Sequence, residues 1–442
     1  MKRLLICAYY FPPIGTPRSY RWLEFVKRLS KNWEIDVLTI HTFDNHPNCD
    51  PNLLEDIPNK VKIFRIYPGI MHHFSSLFLG KAKDNKQFNP HKHQIPLRQR
   101  VGKYLFKVFE NKLRAIFIPD EAISWLPFVI AKGRRLIEEN RHDAIISSGF
   151  PFTCHIAGFF LKRISQGKPW IADYGDPWAY NPTFLLPKWR SFIDKKIESK
   201  VLKAANRIIV TTDKTKEHYL NLYHFLKPQD IEVITQGFSH EELKWISPET
   251  TDKFRIVYTG IFYKTREPFV FFDALSSLKD IWKDLEVIIA GDMPNDEYRQ
   301  YAENKGLSEI VRFIGFVPRK RALSLQKGAS LLLLIGNGGG IQVPGKVYEY
   351  IASRRPILLI KMDSRDIASA VIERFKRGIC IENDPQKVSE SIVYLYNLWK
   401  NKRLDGEFNL EGVDEFSWDR LAKRLEEIIM EITWIRKPFL SD

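Results

Sequence analysis

Cysteine is scarce in this chain, and long apolar runs are missing. The 442 residues include four cysteines, Cys7, Cys49, Cys154 and Cys380. They are too widely spaced for a CxxC pair or a Cys/His ligand grouping, so free, mostly buried thiols are expected and a structural zinc is not. No stretch approaches the roughly 20 apolar residues that a bilayer span needs, and Pro12 and Pro13 interrupt the opening MKRLLICAYYFPP before it can form a signal-peptide core. A cytoplasmic location is expected. There is no repeat of solenoid period. What is present, 44% hydrophobic, 13% aromatic and 27% charged residues, suits a chain that buries a core rather than a disordered one. At about 100–200 residues per domain, the length implies two or three domains.

Charge is unevenly placed. Residues 1–240 hold 37 Lys+Arg against 22 Asp+Glu, which is the whole net charge of +15, while the remainder has 31 of each sign. Such asymmetry points to one half facing a polyanion. The densest part is residues 81–114, with ten basic and two acidic residues. There Val101, Tyr104, Leu105, Val108, Leu113, Ile116 and Phe117 recur at helical spacing, with Arg100, Lys103, Lys107 and Arg114 on the other face. Two readings stand: residues 81–117 lie in the headgroup layer of an anionic membrane, or they form an ordinary core-facing helix with a solvated basic side. No recognition motif accompanies the charge, and nucleic acid is not expected as a partner.

Short apolar runs alternate with longer amphipathic stretches, the pattern of βα units in parallel sheets. Strands are expected at 4–9, 34–40, 61–67, 144–148, 170–173, 207–211 and 231–235. A second series is expected at 254–259, 285–290, 311–314, 330–335, 356–360 and 378–381. The fold class is therefore α/β, with two Rossmann-like domains and a central cleft where ligands of such folds bind. The polar stretch 239–253 marks the boundary. This gives an N-terminal, acceptor-side domain over 1–240, joined by a C-terminal helix within 414–442 that packs back on it, and a C-terminal domain over 250–413.

Several segments carry chemistry. The first strand runs into AYYFPPIGTPRSYRW, which puts Gly15 on a strand-to-helix turn where backbone can approach an anion. Because the segment is not GxGxxG, a nicotinamide dinucleotide is disfavoured, and a plain turn glycine is an equal reading. After a buried strand come Ser147, Ser148 and His155, and one strand later DYGDPW supplies Asp173, Asp176 and Trp178. Two acids at a central strand's carboxyl end would meet substrate hydroxyls, with burial tuning them. For His155 a buried, hydrogen-bonded side chain is the stronger reading. In the second half, Gly260, Lys264 and Arg266 follow the first strand, where two cations suit a diphosphate. LLLLIGNGGGIQVPGKVYEY then runs an apolar strand into Gly338, Gly339 and Gly340 and starts a helix near Pro344, an anion cradle at a helix N-terminus. Lys346 and Glu349 lie one turn apart on that helix, with Glu349 able to accept ribose hydroxyls.

These motifs, in this order along essentially the full chain, resemble the family 4 type glycosyltransferases of the GT-B fold. Shared features are the FPP strand with its glycine loop, DxxDPW, TG followed by basic residues, and the PGKxxEY helix. The resemblance implies transfer of a sugar from a nucleotide-diphosphate sugar to a saccharide or lipid-linked acceptor in cell-surface polysaccharide synthesis, with retention, without a metal and without a cofactor beyond the donor itself. It implies that Lys264 and Arg266 hold the diphosphate and Glu349 the ribose. Gly338 to Gly340 with Ile341 would hold the phosphate or sugar, and GFVP around Val317 would border the base. Asp176 and Asp173 are taken with Lys264, Arg266 and Glu349 as the catalytic set. Gly15, Gly260 and Lys346 join the donor site, and His155 and Trp178 the acceptor side. The family often carries two glutamates eight residues apart; Ile341 occupies the first of these positions here. The histidine common after the middle strand is likewise replaced, near Gly175 and Asp176. Alternatives are a sugar-nucleotide epimerase or hydrolase on the same fold, and a catalytically silent partner subunit.

Overall fold

The computed structural model describes residues 2–41, 48–70, 117–181, 186–262, 265–291, 296–338 and 340–434. Lys264, Gly339 and, apart from Phe117, the basic segment 81–117 lie outside them.

The chain divides into two compact units, Met1–Ile234 with Ala422–Asp442, and Thr235–Leu421. The first is built on a seven-stranded sheet: β1 (Lys2–Ala8), β2 (Trp33–Ile40), β3 (Val61–Ile66), β4 (Ala144–Gly149), β5 (Trp170–Tyr174), β6 (Arg207–Val210) and β7 (Ile231–Val233). The spatial order is β3-β2-β1-β4-β5-β6-β7, and the paired strands are parallel, Cys7 standing beside Leu38 on one side and Ser147 on the other. Strands buried on both faces must be apolar almost throughout, as ICA of β1 and AII of β4 are. Helix α1 (Pro17–Leu29) starts after Thr16, whose hydroxyl accepts from the Ser19 N–H, with proline at its first position.

The second unit carries β8 (Phe254–Thr259), β9 (Leu285–Ala290), β10 (Val311–Gly315), β11 (Leu331–Ile335), β12 (Ile357–Lys361) and β13 (Gly378–Glu382). They form a six-stranded sheet in the order β10-β9-β8-β11-β12-β13. Each sheet reverses its strand order once, between β1 and β4 and between β8 and β11. In open parallel sheets such reversals leave a crevice at the carboxyl ends of the two strands.

The polar stretch 239–253, expected as a linker, belongs to the second unit. Phe238, Leu243 and Ile246 are buried in the apolar cluster that also holds Val257, Leu332 and Leu334, and Lys327 Nζ donates to the carbonyls of Leu243 and Ile246. Two buried apolar side chains within the segment, with Phe238 just before it, are enough to fix it. The helix Trp418–Trp434 returns to the first unit, where Glu426 accepts from Trp33 Nε1 and Asn32 Nδ2, each at 3.0 Å, and Arg424 pairs with Glu232 at 3.0 Å. Among the described residues no helix is long and apolar enough to cross a membrane.

Candidate functional site

At the reversal point of the second unit, β8 ends in Thr259 and Gly260. Gly260 adopts φ +132° and donates its N–H to the Ala290 carbonyl at 2.7 Å. Glycine is required here by the backbone conformation, and the missing Cβ leaves the space that Lys346 Nζ occupies. Lys346 opens the helix Lys346–Ala352. Its Nζ sits 3.9 Å from the centre of the Tyr258 ring, sealed from solvent and with no hydrogen-bond partner among the described residues. Burial, reinforced by the Arg266 charge and only partly opposed by Glu349, holds its pKa well below the usual lysine range. A desolvated ammonium without a counter-anion is costly unless a ligand supplies one.

Arg266 is buried, and its Nη2 donates to Asn337 Oδ1 just beyond the end of β11. Arg266 thus bridges the two strand ends that flank the crevice. Gly340 has φ +67° and packs on the Arg365 carbonyl so closely that a Cβ would stand 2.6 Å from its oxygen. Gly338 instead has no described residue nearer than 4.0 Å to a Cβ placed on it. One glycine shapes the loop, and the other leaves room beside it. Val317 is buried after β10.

Glu349 does not pair with Lys346. It accepts from Arg319 Nη1 at 2.6 Å, while Glu242 takes Arg319 Nε and Nη2 at 2.7 and 3.0 Å. The fork of one guanidinium therefore orients the carboxylate, and Arg319 is a site residue absent from the sequence reading. Its only signal there is that it follows GFVP directly. Below it, a buried chain ties β8 to the helix. The Thr259 N–H donates to the Tyr350 hydroxyl oxygen at 3.0 Å, and Gln326 Nε2 donates to Thr259 Oγ1 at 2.9 Å.

In the first unit several expected site residues prove to be core. Asp173 is fully buried, and its carboxylate accepts from Arg21 Nη2 at 3.1 Å, Arg18 Nη2 at 2.8 Å and Trp22 Nε1 at 3.1 Å. Despite burial, the two guanidinium charges draw its pKa below the usual carboxylate range. With both oxygens engaged and no exposure, it anchors α1 to β5 and is corrected from a substrate-facing acid to a structural ion pair. His155 is also fully buried. Its Nδ1 shares a 2.8 Å hydrogen bond with Ser147 Oγ, and its ring centre is 4.1 Å from that of Tyr174. Trp178 is buried, stacked on Phe152 at 5.2 Å. His155 is thus the buried, hydrogen-bonded side chain of its stronger reading, and Trp178, expected on the acceptor side, is closed to solvent. Asp176 remains partly exposed, its carboxyl pushed up by burial and pulled down by the Arg18 charge. Gly15 donates its N–H to the Asn48 carbonyl at 2.6 Å.

Burial, together with the Arg18 charge, pushes the His155 imidazole down to about 3. The unfolded chain binds a proton there near pH 6.5 and the folded one does not, so stability falls as pH drops below 6.5 and the penalty is absent above it. Between pH 7 and pH 5, denaturant unfolding is expected to show the protein losing about 2 kcal/mol more than His155→Asn. Equal losses in the two proteins would contradict the buried neutral ring.

Two family models match the sequence, one described as glycosyl transferases group 1 over residues 253–397 and one as glycosyltransferase family 4 over residues 95–242. The chain belongs to the family 4 type glycosyltransferases. Solved structures place this glycosyltransferase in the GT-B fold. A glycosyltransferase from Rickettsia africae is 13% identical, with a TM-score of 0.65 and coverage of 99% of this chain and 100% of that one. Sucrose-phosphate synthase from Thermosynechococcus elongatus is 14% identical, with a TM-score of 0.66 and coverage of 98% and 100%. Anabaena HepE, solved in complex with UDP and glucose, is 13% identical, with a TM-score of 0.64 and coverage of 98% and 100%. No curated protein sequence matches the glycosyltransferase. At such identities the structures speak for the fold alone. The group 1 match, over residues 253–397, spans Gly260, Arg266, Val317, Arg319, Lys346 and Glu349, and Glu242 falls in the family 4 match.

Proposed function

We propose that this glycosyltransferase takes a nucleotide-diphosphate sugar on its second unit and passes the sugar, with retention, to a saccharide or lipid-linked acceptor in cell-surface polysaccharide synthesis, working peripherally at the inner face of the cell membrane. The observation that carries the donor reading is the pair of basic side chains at the β8/β11 reversal, Arg266 bridging the strand ends and Lys346 with its amino group sealed on Tyr258. A diphosphate bound there supplies the missing countercharge. During transfer the bond between the anomeric carbon and the diphosphate oxygen breaks, and negative charge grows on that oxygen. Fixed cations stabilise it without reorganisation. Glu349, held by Arg319, accepts the ribose hydroxyls, and Gly338 leaves space for phosphate or sugar.

HepE's complex with UDP-glucose makes uridine the first base to try. Titrating UDP, GDP, ADP and CDP while following thermal unfolding is expected to raise the melting temperature for one base far more than for the others. Excess EDTA is expected to leave both that shift and the transfer rate unchanged. Loss of binding on chelation would overturn the cation-only account, and no shift with any nucleotide would overturn the donor site.

A further inference from the structure

Helix α2 (Lys188–Ala204) is built inside out. Its inward face carries Arg190, Asp194 and Glu198, all buried. Arg190 Nε donates to Asp194 Oδ2 at 2.8 Å, and Glu198 accepts from the hydroxyls of Tyr219 and Tyr223 at 2.7 and 2.5 Å and from the Ala179 N–H at 3.0 Å. Its outward face carries Trp189, 53% exposed, and Phe192, 55% exposed, continued by Lys196, Lys200 and Lys203 with Lys188 beside them. Both acids of the helix are underneath, so the outer face is cationic without a single carboxylate.

The surroundings continue the pattern. Exposed Tyr180 has Lys195 Nζ 5.8 Å from its ring centre, exposed Phe225 has Lys203 Nζ at 4.7 Å, and Phe192 has Lys196 Nζ at 4.4 Å. A single exposed aromatic residue is ordinary. Four of them interleaved with lysines, over a helix that buries its acids, form a patch that must meet something both apolar and anionic. An acidic protein surface satisfies the charge but offers no layer for the rings. The boundary of a bilayer offers both at the required depths: aromatic rings settle at headgroup level, lysine stems lie along the apolar boundary, and the ammonium groups reach lipid phosphates. The net charge of +15 within residues 1–240 adds long-range attraction of the same sign.

We infer that the outer face of α2, with Tyr180 and Phe225, docks the first unit on an anionic lipid bilayer. This deepens the peripheral-membrane part of the proposed function by naming the surface, and it is independent of donor chemistry. Co-sedimentation of the full chain with phosphatidylcholine vesicles containing phosphatidylglycerol, at low salt and without nucleotide sugar, is expected to show strong binding that plain phosphatidylcholine lacks and that high salt releases. Trp189→Ala/Phe192→Ala and Lys196→Glu/Lys200→Glu/Lys203→Glu alter exposed positions and are expected to leave circular dichroism and nucleotide binding unchanged. Each is expected to lower partitioning at least about ten-fold. If the unaltered protein fails to sediment with anionic vesicles, both the surface and the membrane reading fall. If it sediments and both variants sediment equally well, the α2 surface is wrong and the membrane contact lies elsewhere. In either case the donor site is judged separately, by nucleotide binding.

Discussion

Arg266→Ala is expected to lower kcat/KM for sugar transfer by about 10²–10³-fold, the usual cost of removing one fixed donor from a developing oxyanion. The side chain is placed by Asn337 at the end of β11 while its own backbone follows β8, so it reaches the reversal point from both flanks. Lys346 cannot fully substitute, because its ammonium is fixed between Gly260 and the Tyr258 ring. The variant loses a hydrogen bond to Asn337 and a buried polar side chain that belongs to neither apolar core cluster of the second unit, and circular dichroism is expected to remain native. Arg266→Lys keeps the charge and loses the planar fork, and is expected to recover only part of the rate. Steady-state transfer by the three proteins decides the matter. An alanine variant within three-fold of the unaltered enzyme would remove Arg266 from the donor site.

The strands were largely legible because parallel strands covered on both faces are near-continuous apolar runs. LLLLI of β11 and ILLI of β12 admit little else, and expected and observed bounds differ at most by two residues at either end. The parallel character of the sheets followed from the same runs, since parallel neighbours need a crossover helix between them, whereas the strand order is seen only in the structure. The site was only partly legible. Gly260, Arg266 and Lys346 come together because all three sit on the segments that leave the carboxyl ends of β8 and β11, which the strand pattern locates. The Glu242–Arg319–Glu349 cluster joins residues 77 and 30 positions apart, and no local pattern marks such a meeting. Conversely, Asp173 and Trp178 resemble site residues, because polar and aromatic side chains after a strand's carboxyl end are the usual sign of one. Which strand ends are closed to solvent is a tertiary fact. Helix α2 shows the opposite case, with Glu198 turned inward onto tyrosine hydroxyls, Asp194 onto Arg190, and a tryptophan turned out.

The buried ion pair at Asp173 gives the second large effect, this time on stability. Asp173→Ala leaves Arg18 and Arg21 without their carboxylate in a region where Arg21 is fully buried. Removing one partner of a buried charge cluster costs about 3–5 kcal/mol, because the remaining guanidinium keeps its desolvation penalty and loses its attraction. Arg21 keeps the Ile234 carbonyl, at 3.0 Å, and its place over the Phe25 ring, neither of which carries a full negative charge. Asp173→Asn fills the same volume and can accept one of the lost hydrogen bonds, so it is expected to recover a minor share. The pH dependence separates the charge effect from packing. Because the folded-state pKa of Asp173 lies below its unfolded value of about 3.9, its contribution is complete above that value and disappears as pH falls through the lower, folded pKa. Urea unfolding at pH 7 is therefore expected to show the full gap between the unaltered chain and Asp173→Asn, and the gap is expected to narrow as the buffer is taken below pH 4. A gap that stays constant down to the acid limit would mean that Asp173 contributes by shape and hydrogen bonding alone, and that the two arginines draw their countercharge from elsewhere.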